Sequence, residues 1–290
     1  MREIKSLGLK PQYEGPSSWW EHVPIAHFLI EYIKPDVVVE LGSHYGVSLF
    51  SFCEAAKEYS PSTFVHGIDS WKGDVQAGYY GDEVYEVVKA HRDKFHKNRC
   101  QLIRSMFSDA AESFGDKSID LIHIDGLHTY EAVKNDYETW FPKLKENGTI
   151  LFHDWNERQP GFGVWKLWEE IKNAKEFYFV EIPNGHGLAI ATKSKTKPEW
   201  HDILESNKIL LQTKGILLEE NQRIKEELAE KKKEQIIAKK HSQNLENIIK
   251  EQKESILILN NHLGQIRKEG LNIKILKRAR TMAKKIFLRF

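Results

Sequence analysis

The chain has 290 residues, of which 40% are hydrophobic and 11% aromatic, so its composition suits a globular protein and excludes a collagen-like or disordered polymer. Its net charge of +1 conceals a division, because residues 1–200 carry a net charge of −7 and residues 201–290 a net charge of +8. The two cysteines, Cys53 and Cys100, are too few for a disulfide framework or a cysteine-based zinc site, which favours a reducing compartment.

The sequence carries no pattern typical of export or membrane insertion. The charged residues 1–5 are not followed by the apolar stretch of a signal peptide, and no window holds the roughly 18 uninterrupted apolar residues of a spanning helix. All eight tryptophans lie within the first 200 residues. We therefore expect a cytoplasmic protein made of two physically different parts that join near residue 200.

Residues 20–192 alternate short apolar runs with longer helical patterns. Runs such as residues 37–39 and 121–124 are apolar on both faces, as in a parallel sheet covered by helices, so residues 1–198 predict a doubly wound α/β domain. The predicted strands are 36–41, 63–69, 100–104, 119–125, 149–153, 177–182 and 188–191, and the predicted helices are 20–33, 47–59, 83–96, 130–144 and 164–173.

A glycine turn and an acidic residue follow the first two predicted strands. Gly42 and Gly46 have the spacing Gly-x-x-x-Gly, which allows a tight turn before a helix but differs from the motifs of dinucleotide-binding folds and P-loops. Asp69 ends the second strand, where a carboxylate can bind a ribose diol. Each feature alone also fits a structural turn or a helix cap. Together they favour an adenosine ligand without a pyrophosphate, for which S-adenosylmethionine is suitable.

Two carboxylates and two histidines follow the fourth and fifth predicted strands. Asp125 and Asp154 end neighbouring strands and, with His153, suit a divalent cation such as Mg²⁺. His128 lies three residues after Asp125, where a neutral imidazole could take a proton from a hydroxyl. Taken singly, each of these residues also fits a turn, a buried strand histidine or a cap.

The segment 39–48 resembles the cofactor motif of class I S-adenosylmethionine-dependent methyltransferases. Residues 18–192 are similar to one branch of that family, associated with bacterial surface-polysaccharide biosynthesis and related to metal-dependent sugar O-methyltransferases. The segments that carry this similarity are 67–74, 79–81, 120–130, 153–154 and 162–168. The resemblance implies a Rossmann-like seven-stranded, mostly parallel sheet whose last strand is antiparallel.

The resemblance also implies roles for individual residues. Asp125 and His128 would be catalytic, and Asp125, His153 and Asp154 would hold a metal, with His153 standing where relatives usually carry an acid. Asp125 would also contact the cofactor, whose other predicted contacts are Glu40, Gly42, Ser43 and Gly46 at the methionine end, Asp69 at the ribose, and Met106, Phe107 and Ser108 at the adenine. An acceptor surface is expected from Trp71, Tyr79, Tyr80, Trp155 and His186.

Residues 199–269 predict a coiled coil. Writing heptads with d at Ile203 and every seventh residue to Ile266 makes eight of the ten d positions apolar, whereas only four of nine a positions are. We expect a homodimer or homotrimer, and the alternative is a single solvated helix or a charged disordered tail.

Residues 270–290 differ from the predicted coiled coil in charge. From residue 271 they contain seven basic and no acidic residues, with an apolar stripe at helical spacing. This pattern predicts a basic amphipathic helix at a membrane surface, in preference to a protein partner or nucleic acid.

These observations predict an S-adenosylmethionine-dependent O-methyltransferase at the inner membrane face. Its acceptor would be a sugar hydroxyl of a bacterial surface polysaccharide or of a lipid-linked precursor, with methylation as a chain-terminating cap. Two alternatives stay open: an O-methyltransferase of small molecules, and a non-catalytic cofactor-binding scaffold that recruits a glycosyltransferase through the coiled coil. No nucleic-acid partner is expected.

Overall fold

The computed structural model describes residues 3–174, 177–268, 277, 278, 280 and 281, and the chain divides into two compact units, Met1–Arg223 and Ile224–Phe290. The strands are β1 (Val37–Leu41), β2 (Phe64–Asp69), β3 (Gly73–Asp74), β4 (Gly78–Tyr79), β5 (Cys100–Arg104), β6 (Ile119–Ile124), β7 (Leu144–His153), β8 (Phe177–Ile182) and β9 (Leu188–Lys193). The helices are α1 (Val23–Ile33), α2 (Val47–Tyr59), α3 (Asp82–Phe95), α4 (Phe107–Ala111), α5 (Tyr130–Trp140), α6 (Val164–Lys172) and α7 (Glu199–Lys268), with short 3-10 helices at Lys5–Gly8, Trp20–His22 and Phe141–Lys143.

Seven strands form one sheet in the order β5-β2-β1-β6-β7-β9-β8. Neighbouring strands are parallel except β9, which runs antiparallel to β7 and β8. The predicted Rossmann-like sheet with a C-terminal antiparallel strand is therefore confirmed. The strand order reverses between β1 and β6, which is where open sheets of this kind bind ligands at the carboxyl ends of their strands.

Alternate residues of the central strands pack into different hydrophobic cores. Val38 and Leu121 belong to one core, which is completed mainly by α1 and α2, whereas Val39 and Ile122 belong to a second, completed by α4, α5 and α6. Because successive side chains of a strand point to opposite faces, this division means that helices cover the sheet on both sides. The apolar runs of the sequence have the two-faced burial that was predicted from them.

Some boundaries differ from those predicted. Helix α5 ends at Trp140, and Phe141–Lys143 forms a 3-10 turn, since Pro142 has no N–H to donate to a continuing α-helix. The β3–β4 hairpin and α4 were not predicted, because two-residue strands and a five-residue helix are too short for a periodic pattern.

The first unit extends to Arg223, beyond the boundary at residue 198 that the sequence suggested. The start of α7 packs against the domain, and Trp200, Leu204 and Leu211 are buried in the same core as α1 and α2. Lys214 adds polar contacts, because its Nζ donates hydrogen bonds to the carbonyl oxygens of residues 7 and 9 at 2.7 and 2.9 Å. This part of α7 therefore belongs to the domain.

The heptad pattern does not describe this first part of α7. The predicted d residues Leu210 and Leu217 are 51% and 58% exposed, whereas the buried positions 200, 204 and 211 follow the face that meets the domain. The start of α7 thus has an intramolecular partner on one face, while the predicted coiled coil over 199–269 stays a prediction. From Ile224 onward the apolar side chains of α7 are exposed or half-buried, and the coiled coil stays a prediction there.

No helix among the described residues is long and apolar enough to cross a membrane. The predicted basic amphipathic segment 270–290 lies outside the described residues apart from positions 277, 278, 280 and 281.

Candidate active site

The loop between β1 and α2 is a tight turn that depends on two glycines. Gly42 has φ of 92° and Gly46 has φ of 85°, a backbone region that other residues rarely adopt. A Cβ atom on Gly42 would lie 1.9 Å from the backbone carbonyl oxygen of Asp125, just after β6. The turn and the Asp125 loop can therefore meet only because residue 42 has no side chain.

Asp69, at the end of β2, holds this turn in place. Its Oδ2 accepts hydrogen bonds from the backbone N–H groups of Ser43 and His44 at 3.0 and 2.9 Å, and its Oδ1 accepts one from Trp71 at 2.7 Å. Burial raises the pKa of Asp69 even though these three donors act in the opposite direction. Three of about four acceptor positions of the carboxylate are thus occupied. Asp69 thus shapes the turn and also lines the cavity, and its role at the ribose stays a prediction.

A cavity of about 660 Å³ opens beside the turn, at the carboxyl ends of β1, β2, β6 and β7. Small-molecule sites commonly have volumes of about 300–1,000 Å³. The predicted cofactor residues that line the cavity are Gly42, Ser43, Gly46, Asp69, Met106, Phe107 and Asp125. The walls also include residues that the sequence analysis did not single out, among them Pro16, Ser17, Ser18, Gln76 and Phe162.

Two predicted cofactor contacts do not line the cavity. Glu40 is completely buried and accepts a hydrogen bond from His123 Nδ1 at 3.0 Å. The two residues are partners in the register of β1 and β6, which the sequence of either strand alone does not reveal. Ser108 lies on the exposed side of α4, where its hydroxyl donates to Asp109 at 3.2 Å. Neither residue lines the cavity in this structure, and the cofactor roles of Glu40 and Ser108 stay predictions.

The predicted acidic and histidine residues meet at the cavity. His128 Nε2 lies 3.3 Å from Asp125 Oδ1 and 3.0 Å from Asp154 Oδ2. His153 Nδ1 also lies 3.2 Å from Asp125 Oδ1 and 3.2 Å from Asp154 Oδ1. The four side chains come from the ends of β6 and β7, which are parallel neighbours, so their side chains meet at one edge of the sheet.

The charges of this cluster depend on each other. Burial by itself would lower the pKa of His128, but the hydrogen bonds to Asp125 and Asp154 outweigh burial and raise it to about 10. Burial would likewise raise the pKa of Asp125, yet His153 and His128 hold it well below its usual value. At neutral pH His128 is therefore an imidazolium beside the Asp125 carboxylate. The predicted neutral His128 is corrected for this state, because its Nε2 already carries a proton.

Gln76 fixes the orientation of His128. Its Oε1 lies 2.9 Å from the backbone N–H of His128 and 3.0 Å from His128 Nδ1, and its Nε2 donates to the Gly161 carbonyl oxygen at 3.2 Å. The ring of Phe162 stacks on the imidazole with 5.3 Å between centroids. Gln76 lies between β3 and β4, so no periodic pattern marked it; the glycines at 73 and 78 were the available signal of a tight hairpin.

Both histidines lie beside the two carboxylates, and the ligand atoms that converge on one point belong to Asp125, His128 and Asp154. Asp125, His128 and Asp154 each offer a ligand atom within 4.8 Å of the others. His153 is only 2% exposed, and its Nδ1 faces the two aspartates from inside the sheet. The donor set of two carboxylates and one imidazole fits a divalent cation, so the residues present are compatible with the predicted metal.

The predicted acceptor surface is smaller than expected. Trp71 and Trp155 are buried, and their indole N–H groups donate to backbone carbonyl oxygens of His44 and Ile182. Tyr80 and His186 line the cavity, as does Glu157, whose carboxylate accepts a hydrogen bond from His186 at 2.7 Å. Tyr79 is 77% exposed and does not line the cavity.

Comparison with known proteins finds similarities for the part of the chain that forms this site. Residues 39–155 match the family model described as a methyltransferase domain. An uncharacterized protein of Sinorhizobium fredii is 39% identical over 182 residues, which are 62% of this chain and 20% of the relative. The chain therefore spans about a fifth of the length of this curated relative.

Solved structures with a similar arrangement are distant in sequence. A methyltransferase from Geobacter sulfurreducens is 18% identical, with 60% of this chain and 78% of that chain covered and a TM-score of 0.46. The O-methyltransferase TomG from Streptomyces achromogenes, solved in complex with S-adenosylmethionine, is 10% identical, with 67% and 91% covered and a TM-score of 0.47.

Proposed function

We propose that this chain, whose residues 39–155 match the family model of a methyltransferase domain, is an S-adenosylmethionine-dependent O-methyltransferase that acts on a sugar hydroxyl. The observation that carries the proposal is that Asp125 contacts both the glycine turn and His128. Its backbone packs on Gly42 of the glycine turn, and its carboxylate binds His128 in the same cavity. A cofactor on the turn and a hydroxyl at the cluster would thus be held side by side.

The residues available for the cofactor are those of the turn and the loop after β5. Ser43 and Gly46 line the cavity at the start of α2, whose N-terminus favours polar and negative groups such as a carboxylate. Met106 and Phe107 line it on the other side of β2. When bound, S-adenosylmethionine supplies a methyl group on a positively charged sulfur, which a hydroxyl oxygen can displace. The task of the protein is to align the two reactants and to accept one proton.

The proton has acceptors within the same cavity. Asp125 and Asp154 both contact His128, which holds their carboxylate oxygens 3.3 and 3.0 Å from its Nε2. Gln76 keeps the imidazole from rotating. A divalent cation held by Asp125, His128 and Asp154 would take the place of the His128 proton and would lower the pKa of a bound hydroxyl.

The polar walls of the cavity support a sugar acceptor. Ser17, Ser18, Glu157, Gln159 and His186 line it, and together they offer hydroxyl, carboxylate, amide and imidazole groups for a polyhydroxylated ligand. The further restriction to a bacterial surface polysaccharide or its lipid-linked precursor rests on the sequence resemblance.

The test begins with calorimetric titration of S-adenosylmethionine into the full chain. Methyl transfer is then measured with a lipid-linked sugar and with a simple catechol, before and after treatment with a chelator. We expect cofactor binding and methylation of the sugar. Absence of cofactor binding would reject the proposal, and preferential methylation of the catechol would replace it with a small-molecule enzyme. Binding without turnover on either acceptor would support a scaffold that recruits a glycosyltransferase.

We also propose that the second unit joins copies of this chain. Ile224, Leu228, Leu245, Ile249 and Ile256 occupy predicted a and d positions and are 40–53% exposed. Apolar side chains at this spacing are stabilised by packing against a second helix of the same kind. A homodimer or homotrimer is expected, and a monomeric mass by light scattering at micromolar concentration would contradict it.

The membrane proposal rests on sequence alone. Residues 271–290 combine seven basic residues with an apolar stripe, which would bind an anionic membrane surface. Flotation with anionic liposomes should recover the full chain but not a chain that ends at residue 270. Equal recovery of both would reject this proposal.

A further inference from the structure

A second group of metal-ligating side chains lies away from the cavity, between α2, α3 and the N-terminal segment. Glu54 is on α2, His91 is on α3, and His96 follows the last turn of α3. Each offers one ligand atom within 4.8 Å of the other two. Glu54 is 5% exposed and His96 is 3% exposed, so the group is inside the protein.

Several polar atoms of this group have no partner within the described part of the chain. They are Glu54 Oε2, His91 Nε2 and both ring nitrogens of His96. Leaving one buried donor or acceptor unsatisfied costs about 1–3 kcal/mol, so native proteins seldom place several together. One ion could bind one ligand atom of each residue, which would leave one ring nitrogen of His96 without a partner among the described residues.

We propose that Glu54, His91 and His96 bind a zinc ion. Zinc accepts imidazole nitrogen and carboxylate oxygen, and sites with two histidines and one glutamate leave a fourth position for water. The ligand atoms of a tetrahedral site lie roughly 3.3 Å apart at bond lengths of about 2.0–2.1 Å. The three side chains would therefore have to approach one another by rotation about their side-chain bonds.

The surroundings favour such an ion. Tyr13 and Phe50 pack against His91, each with 4.5 Å between ring centroids, and Phe50 stacks on His96 at 5.5 Å, so apolar rings enclose the site.

The donor set separates this site from the cluster at the cavity. Two imidazoles and one carboxylate favour zinc, whereas two carboxylates and one imidazole at Asp125, His128 and Asp154 are more suitable for Mg²⁺ or Mn²⁺. The zinc site does not depend on the proposed methyl transfer.

An ion at this site would stabilise the segment that forms one wall of the cavity. Glu54 Oε1 accepts hydrogen bonds from the backbone N–H groups of Gln12 and Tyr13, each at 3.0 Å. The Tyr13 hydroxyl donates to the carbonyl oxygen of Tyr45, which belongs to the glycine turn, at 2.6 Å. A few residues later, Ser17 lines the cavity. The zinc would thus join α2 and α3 beneath a segment that contacts both the turn and the cavity.

The experiment measures metal content and stability of the full chain. Protein stripped with a chelator is incubated with Zn²⁺, desalted and assayed by elemental analysis, and thermal unfolding is followed with and without Zn²⁺. Cobalt(II) serves as the spectroscopic probe, because a tetrahedral site gives intense visible bands. The variants are His91→Gln, Asp154→Asn, and the matched control His66→Gln, which removes a half-buried histidine on β2.

We expect one zinc per chain to be lost in His91→Gln and kept in Asp154→Asn and His66→Gln. The zinc-dependent rise in melting temperature and the cobalt bands should disappear with that same variant alone. An equal zinc content in His91→Gln and the unmodified chain would overturn the proposal, as would no retained zinc in the unmodified chain. Should His91→Gln not fold by circular dichroism, Glu54→Gln, which keeps the side-chain volume, replaces it with the same expected outcome.

Discussion

Several apolar side chains of α7 are buried in the first unit, whereas in the second they are exposed or half-buried. In the first unit, Trp200, Leu204 and Leu211 of α7 are at most 9% exposed, because the helix packs on the domain. In the second unit, residues of the same helix such as Ile237 and Leu245 are 67% and 46% exposed. The apolar residues of α7 therefore have two kinds of partner. Up to Arg223 the buried ones pack on the same chain, and from Ile224 onward, by our proposal, they pack on another copy.

The largest effect is expected on the rate of methyl transfer, and it tests whether the first unit alone carries out this reaction. Asp125→Asn removes the charge that holds His128, so kcat for methyl transfer should fall about 10²–10⁴-fold. A chain that ends at Arg223 should keep its kcat, since every residue that lines the cavity precedes that point. Asp109→Asn, on the exposed side of α4, is the control. Full activity of Asp125→Asn would contradict the proposed site.

The two glycines of α7 give a direct contrast between the units. A Cβ on Gly215 would lie 1.9 Å from the carbonyl oxygen of Glu21, whereas a Cβ on Gly264 would meet nothing within 4 Å. Gly215→Ala should therefore lower the free energy of unfolding of the first unit by roughly 1–3 kcal/mol or more, as overpacking against a backbone does. Gly264→Ala should raise helix stability by up to about 1 kcal/mol.

Denaturant unfolding and far-ultraviolet circular dichroism measure both changes. If the two alanine variants had equal stability, the docking of α7 on the domain would be wrong.

The next effect concerns pH and the buried histidines of the first unit. Burial lowers the pKa of His27 to about 3, so the folded chain binds fewer protons there than the unfolded chain below pH 6.5. Stability from this group is complete above pH 6.5 and is lost as the pH falls from there toward 3. At 1.36 kcal/mol per pH unit, the loss by about pH 5 is about 2 kcal/mol.

Unfolding free energies at several pH values measure this loss. His27→Leu should remove this part of the pH dependence, and His27→Gln separates the titration from the change of polarity, because glutamine does not titrate. An unchanged slope in both variants would show that His27 is not the responsible group.

The smallest effect on the domain is expected from the second unit. Ile249→Lys changes a residue that is 49% exposed, so the unfolding free energy of the first unit should change by less than about 0.5 kcal/mol. The mass in solution should nevertheless fall, since a lysine at an a position weakens helix pairing. Light scattering with Asn247→Lys, at a neighbouring exposed position outside the predicted pairing face, supplies the control.

Much of the active site could be predicted because its residues end strands. Gly42, Asp125, His128 and Asp154 were all identified from their positions after apolar runs, and parallel strands bring such positions to one edge. What the sequence did not reveal was the pairing of side chains that are distant from each other in the chain. Glu40 faces His123 in the next strand, and Gln76 reaches His128 from an irregular hairpin.

By itself, the sequence determined the order of strands and helices, the two-faced burial of the sheet and the change of character near residue 200, because periodicity and composition are local properties. Only the tertiary structure decided which groups pair. It placed His128 between Asp125 and Asp154, set Asp69 against the turn, brought Glu54 near His91 and His96, and docked the start of α7. Distances between atoms of residues far apart in the chain depend on strand register and packing, which no periodic pattern specifies.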